Sequence, residues 1–173
     1  MIFKLLGSIV VLFSSGFLGY VLSTDCKKRP QQLRELQGLL QIFENRISYL
    51  ADIVTEAFDK IYSCTRSEAA IFFLAASEKL KADRGTGAAA AWEAAVRENI
   101  KKTSLNREDE EILAAFGKML GSSDLEGQVK NIRLTVNQLR MQEEKAEQAR
   151  IKNEGMYRSL GILGGLAVVI VLF

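Results

Sequence analysis

The C-terminal stretch decides the fold: residues 124–173 read DLEGQVKNIRLTVNQLRMQEEKAEQARIKNEGMYRSLGILGGLAVVIVLF. It contains no proline, and no glycine lies between Gly127 and Gly155, so little in it would stop a helix early. Its first part carries apolar residues at heptad spacing: Leu125, Val129, Ile132, Val136 and Leu139. A continuous helix of this length would extend about 75 Å, at about 1.5 Å per residue. We predict one long helix that begins in a helical bundle and ends in a bilayer.

A charged segment, residues 142–154, separates the two parts of this helix and leaves only Ala146 and Ala149 on the apolar stripe. Two interpretations fit the pattern: a solvated stalk or a contact between copies of the chain. The first is the simpler, because the charged face of a helix is usually exposed to water.

Both ends of the chain are hydrophobic: residues 5–23 and residues 159–173 contain no charged side chain. Counted from Tyr157, the second run reaches the lower limit of about 17 residues for a spanning helix. No cleavage site follows the first run, which favours a retained anchor over a signal peptide. The basic residues beside both runs place the centre of the chain in the cytosol. We predict an extracytoplasmic tip at 1–4, spans at 5–23 and 157–173, and a cytoplasmic helical domain at 24–156.

Both predicted spans carry pairs of small residues one helical turn apart. Such pairs let two helix backbones approach closely inside a membrane. The candidate positions for packing between transmembrane helices are Ser15, Gly19, Gly161 and Gly165.

The centre of the chain carries signals for five shorter helices and none for a hairpin. The predicted helices begin at Pro30, Asp52, Glu68, residue 88 and Asn106, and end at Leu50, Tyr62, Ala82, residue 101 and Leu120. The apolar positions expected to face inward are Leu33, Leu36, Leu40, Phe43, Ile47 and Leu50, then Ile53, Ala57 and Ile61, then Trp92, Ala95, Val96 and Ile100. The predicted fold is all-α: an antiparallel six-helix bundle with an N-terminal and a C-terminal transmembrane helix, the last helix long and continuing into the membrane.

The residue types on which most catalytic sites depend are missing from the sequence. There is no histidine, and Cys26 and Cys64 lack the spacing of a metal or redox motif. Gly85 and Gly87 are not part of a phosphate-binding loop. Adjacent carboxylates such as Glu110 and Glu111 point in different directions on a helix and form no acid–base pair. With a net charge of only +2, the sequence predicts binding and assembly, with no catalysis, metal, cofactor or nucleic acid.

Two groups of motifs resemble a known family. The segments Gly117–Asp124 and Asn153–Gly161, with Gln128, Ile132 and Leu134 between them, are similar to the C-terminal half of the stage III sporulation protein AB family of endospore-forming bacteria. The opening also agrees, with Lys28-Arg29-Pro30 followed by Leu33-Arg34-Glu35-Leu36. One departure is the turn Ala51-Asp52-Ile53, where relatives tend to have Thr-Pro-Leu.

The resemblance implies a non-enzymatic protein of the mother-cell (outer forespore) membrane, in the channel that links mother cell and forespore. The helical domain would be similar to the cytoplasmic domains of type II secretion and type IV pilus platform proteins. The implied partners are the stage III sporulation ATPase (protein AA) and other sporulation channel proteins, with a homo-oligomer as a further expectation. The alternatives are a passive, self-associating, membrane-anchored spacer and a platform subunit of a related secretion or pilus machine.

The resemblance also suggests candidate site residues. A motif for a partner contact or for turn geometry comprises Leu120, Gly121, Ser123, Asp124 and Gln128, and both interpretations stay open. A membrane-proximal motif comprises Asn153, Met156, Tyr157 and Arg158.

Overall fold

The structure of the chain, a computed structural model, describes residues 27–50, 53–65, 67–83, 85–121 and 124–172. For residues 157, 158, 160–162 and 164–172 it describes the backbone only. Two compact units divide the chain, one comprising residues 29–144 and the other residues 1–28 and 145–173.

Every regular element in the described residues is helical, which confirms the all-α prediction and the six helices. Helix α1 covers residues 27–49. The others are α2 (Val54–Thr65), α3 (Ile71–Ala82), α4 (Ala88–Asn99), α5 (Arg107–Lys118) and α6 (Leu125–Leu172). Short 3-10 turns, Glu68–Ala70 and Ile100–Lys102, precede α3 and follow α4. The prediction of one long final helix is confirmed, because α6 runs through Gly155 without interruption.

The membrane predictions fall largely outside this part of the chain. The first predicted span, residues 5–23, lies outside the described residues. The second, residues 157–173, has helical backbone as far as Leu172. Among the described residues, no helix combines the length and the apolar character that crossing a bilayer requires.

Helix α5 begins with a capping box at Asn106, the residue predicted to start this helix. The Asn106 side chain accepts a hydrogen bond from the backbone N–H of Asp109 at 3.0 Å. In return, the Asp109 carboxylate accepts one from the backbone N–H of Asn106 at 2.9 Å. The two bonds satisfy N–H groups that have no partner within the helix, so the start of α5 is fixed locally.

An aromatic cluster occupies the centre of the 29–144 unit, with Trp92 of α4 in its middle. The Trp92 ring lies 5.0 Å from Phe73, 5.2 Å from Phe116 and 5.5 Å from Phe58, measured between ring centroids. Its indole N–H donates a hydrogen bond of 2.8 Å to the carbonyl oxygen of Leu113, which satisfies the buried polar atom. Phe43 of α1 completes the cluster, 5.1 Å from Phe58.

Helix α5 passes so close to Trp92 that only glycine fits at position 117. A Cβ atom added to Gly117 would lie 2.4 Å from Cδ1 of Trp92, far inside van der Waals contact. Because neighbouring rings and the bond to Leu113 hold the indole, it cannot move aside. Gly117 therefore sets the distance between α4 and α5.

The predicted inward positions are mostly confirmed, including three of α4, Ile100 of the turn that follows it, and five of the six on α1. Two predictions of burial are wrong: Leu50 and Ile53 are exposed. Leu125, the first residue of the heptad pattern, is also exposed. Each of these three residues lies at or beyond the end of a helix, where no neighbouring helix covers it. Within residues 142–154, Gln142 and Ala146 are buried, whereas the charged side chains are exposed or half-buried.

Helices α2 and α3 are joined by Asp59, whose carboxylate accepts a hydrogen bond from the buried Ser77 hydroxyl and forms an ion pair with Lys81. Partial burial raises the pKa of Asp59, but the hydrogen bonds from Lys81 and Ser77 and the charge of Lys81 outweigh it. The pKa of Asp59 therefore lies below its ordinary value of 3.8.

The contact at Gly117 predicts that Gly117→Ala destabilises the chain, although alanine is normally the better helix former by about 1 kcal/mol. Overpacking of this kind costs roughly 1–3 kcal/mol. Gly38→Ala in α1 is the matched control, because a Cβ there meets nothing within 4 Å, and we expect it to stabilise slightly. Urea unfolding of the full chain in detergent, followed by circular dichroism, measures both changes; a stabilising Gly117→Ala would contradict the packing argument.

The low pKa of Asp59 predicts a pH dependence of stability. A carboxylate with a lowered pKa contributes stability that is present above its ordinary value of 3.8 and is lost as the pH falls through the folded-state pKa. The urea midpoint of Asp59→Asn should therefore decline less than that of the wild type between about pH 5 and about pH 3. Glu93→Gln, which alters an exposed carboxylate, is the control. Parallel pH profiles for wild type and Asp59→Asn would show that the contacts with Ser77 and Lys81 contribute nothing.

Candidate docking surface

Helices α1 and α6 run antiparallel within the 29–144 unit, as two ion pairs between them show. Arg34 of α1 lies 2.7 Å from Glu143 of α6, and Glu44 of α1 lies 2.8 Å from Arg133 of α6. From the first pair to the second, the residue number rises on α1 and falls on α6. The end of α1 therefore lies beside the beginning of α6, and the turn that follows α1 is at the same end of the unit as the turn that precedes α6.

Five large apolar side chains are exposed at this end of the unit, and we call them the apolar tip: Tyr49, Leu50, Ile53, Met119 and Leu125. Their exposed fractions range from 43% at Met119 to 84% at Tyr49. They come from the ends of α1 and α5 and the beginnings of α2 and α6. Several large apolar side chains exposed at the same end of a unit, in contrast to a single one, are typical of a surface that contacts another molecule.

The turn motif predicted from the sequence lies at the same end. Gly121 has a φ of +74°, the left-handed conformation in which glycine commonly ends a helix. The Asp124 carboxylate accepts a hydrogen bond of 3.0 Å from the backbone N–H of Gly127, and its carbonyl accepts one of 2.9 Å from that of Gln128, so α6 starts here. Leu120 is buried, and Ser123 lies outside the described residues. The φ of Gly121 and the Asp124 hydrogen bonds fit the turn-geometry interpretation of the motif, and the partner-contact interpretation stays a prediction.

The membrane-proximal motif belongs to the other unit. Asn153 is half-buried and Met156 is exposed, while the side chains of Tyr157 and Arg158 lie outside the described part. One turn earlier, Arg150 lies 2.6 Å from Glu147 and 2.8 Å from Glu154. The hydrogen bond with Glu147 and the charges of both glutamates raise the pKa of Arg150.

The predicted packing positions in the membrane are described only in part. Ser15 and Gly19 lie outside the described residues. Gly161 and Gly165 are helical, and their surroundings are not described.

One polar cluster joins residues that no sequence motif connects. The guanidinium of Arg29 forms two hydrogen bonds with the carboxylate of Asp109, at 2.8 and 3.0 Å, and a third with Gln142 at 3.1 Å. The helix dipole favours an acidic residue in the first turn of α5 whether or not that residue forms an ion pair. The position of Asp109 therefore gave no reason to expect a partner. The sequence therefore carried no sign of the pairing, beyond the presence of Arg29 in a family motif.

In the part of the chain that the structure describes, no group of three or more histidine, cysteine, aspartate or glutamate side chains could hold a metal ion. Cys64 is an exposed thiol, and Cys26 lies outside the described residues. The described surface that stands out is thus the apolar tip.

Comparison with known proteins identifies the family. The sequence model of the stage III sporulation protein AB family matches residues 4–173. Stage III sporulation protein AB of Bacillus subtilis (strain 168) is 34% identical over 170 residues, which cover 98% of each chain. A solved structure of stage III sporulation protein AB matches with a TM-score of 0.68 and 31% identity, over 72% of this chain and 98% of that one. The chain belongs to the stage III sporulation protein AB family, and its role is in sporulation.

Proposed function

We propose that the chain is a non-enzymatic platform subunit of the channel between mother cell and forespore. Its helical domain docks the stage III sporulation ATPase, protein AA, in the mother-cell cytosol. The observation that carries this proposal is the apolar tip, where five exposed apolar side chains gather at one end of the 29–144 unit. Large apolar and aromatic side chains are the usual energetic centres of protein interfaces.

The origin of the tip residues supports this assignment. Tyr49 and Leu50 lie at the end of α1, the helix that carries the family-like opening motif, and Met119 lies in the family-like segment Gly117–Asp124. Segments far apart in the chain thus converge on one surface through the antiparallel packing of α1 and α6. A surface assembled in this way is suited to recognition by a partner.

Anchoring at both ends is the second part of the proposal, and its support comes from the sequence. Residues 5–23 and 157–173 would hold the chain in the mother-cell (outer forespore) membrane, with residues 24–156 in the cytosol. The chain would then present a cytosolic docking domain at a fixed membrane site, together with other sporulation channel proteins.

Docking at the apolar tip predicts that a triple variant, Tyr49→Ser, Leu50→Ser and Ile53→Ser, weakens binding of protein AA by at least about tenfold. All three side chains are exposed, so the fold should persist. The measurement is a titration of the full chain in lipid nanodiscs with protein AA from the same organism. The matched control, Leu134→Ser with Met141→Ser, removes exposed apolar residues from the middle of α6 and should retain the wild-type affinity.

Two outcomes would count against tip docking. One is the absence of wild-type binding at tens of micromolar, and the other is a larger loss in the α6 control than in the tip variant.

A specific feature of α6 favours a second candidate function, the self-associating spacer. Leu134 and Met141 are 54% and 56% exposed and lie seven residues apart, which is two turns along the same face. Apolar residues at this spacing commonly form the seam between two packed helices. Self-association along α6 would space copies of the chain in the membrane without any motor. The same contact would also serve a platform subunit of a related secretion or pilus machine.

The spacer function predicts that Leu134→Ser with Met141→Ser shifts the full chain in detergent from oligomer to monomer. Removing two apolar side chains from such a seam should weaken association by at least about tenfold. Light scattering after size-exclusion chromatography measures the mass, and the tip variant serves as the control. A wild-type chain that is monomeric at tens of micromolar would remove the basis for this function.

A further inference from the structure

A buried ion pair joins the beginning of α1 to the beginning of α5. The side chain of Asp109 is fully buried, at 0% exposure, whereas that of Arg29 retains 21%. Nε of Arg29 donates to Oδ2 of Asp109 at 2.8 Å, and Nη2 donates to Oδ1 at 3.0 Å. This two-pronged geometry is the strongest form of an arginine–carboxylate contact.

The same carboxylate also starts α5. Oδ2 of Asp109 accepts the backbone N–H of Asn106 in the capping box, at 2.9 Å, in addition to Nε of Arg29. A charge removed from water needs a partner and satisfied hydrogen bonds, and Asp109 has both only while Arg29 is in place. The order of the first turn of α5 is therefore linked to a side chain 80 residues away.

Gln142, a buried residue of α6, connects this helix to α1 and α5. Its carbonyl oxygen accepts a hydrogen bond from Arg29 at 3.1 Å, and its amide donates one to Glu108 at 2.9 Å. Gln142 thus contacts both the arginine of α1 and the first turn of α5. One guanidinium orders three helices at the end of the 29–144 unit opposite the apolar tip.

The two charges of the pair are not equivalent. Arg29 lies in the first turn of the described part of α1 and is partly exposed, so its guanidinium can turn to water if the pair breaks. Asp109 is held in the capping box and cannot reach water without opening α5. Loss of Arg29 should therefore be worse than loss of the Asp109 charge.

We propose that Arg29, Asp109 and Gln142 form a charge latch, in which Arg29 is the movable part. When it is closed, it holds α1, α5 and α6 together at the point from which the sequence continues toward residues 5–23. Withdrawal of Arg29 leaves a buried, uncompensated carboxylate and opens the start of α5. Because α5 ends at the apolar tip, the latch lies at one end of the helix whose other end forms part of the candidate docking surface.

The latch is tested by hydrogen exchange of the full chain in lipid nanodiscs, read at the backbone amides of residues 106–112. Arg29→Met should accelerate their exchange by at least about tenfold, because it leaves Asp109 buried without a partner. Adding Asp109→Asn to Arg29→Met should slow exchange again, to within about threefold of Asp109→Asn alone. Arg29→Lys, which keeps the charge but not the two-pronged contact, should lie between the wild type and Arg29→Met.

The matched control is Arg34→Met, which removes a more exposed arginine of the same helix from its ion pair with Glu143. It should change exchange at residues 106–112 by less than about twofold. The latch is overturned if Arg34→Met has the same effect as Arg29→Met, or if the double variant exchanges faster than Arg29→Met alone. If Arg29→Met does not fold, Arg29→Lys and Asp109→Asn decide the question. Exchange rates at residues 106–112 that are equal in Arg29→Lys, Asp109→Asn and the wild type would also overturn the latch.

Discussion

The packing of Trp92 against Gly117 is the contact on which the rest of the 29–144 unit depends. Because the Cβ of any other residue at position 117 would overlap the indole, α5 can approach α4 closely only through glycine. The indole in turn contacts rings of α2, α3 and α5 and donates its N–H to Leu113. The close approach of Gly117 to Trp92 thus fixes the aromatic core. It also fixes the position of α5, and with it the places of the charge latch and of Met119.

Those two ends differ in their chemistry. At the beginning of α5 lies the charge latch, where a fully buried carboxylate depends on an arginine from α1. The other end of α5 lies at the apolar tip, with Gly121 in the left-handed conformation just beyond the helix. At one end of the unit, polar side chains form their hydrogen bonds with one another. At the other end, large apolar side chains are exposed. This asymmetry supports the proposal of a docking platform, since the apolar tip lies at one end of the unit.

Local features of the fold could be predicted because their causes are local. The capping box of Asn106 and Asp109 and the helix stop at Gly121 depend on neighbours within a few residues, and both follow from the sequence. The inward positions of α1 fail only at Leu50, where the apolar spacing continues but the covering helices do not. Periodicity gives the face of a helix, and it contains nothing about how far the neighbouring helices extend.

By itself, the sequence determined the helical class, the long final helix, the end of α5 near Gly121 and the family resemblance, since these depend on residue spacing and on motifs. Its two hydrophobic runs also remain the basis for the proposed membrane anchors. Only the tertiary structure decided that Gly117 faces Trp92, that Arg29 pairs with Asp109, and that Tyr49 and Leu125 lie at one end. The physical reason is distance along the chain: each arrangement joins residues 25 to 80 positions apart, and only the packed helices bring them together.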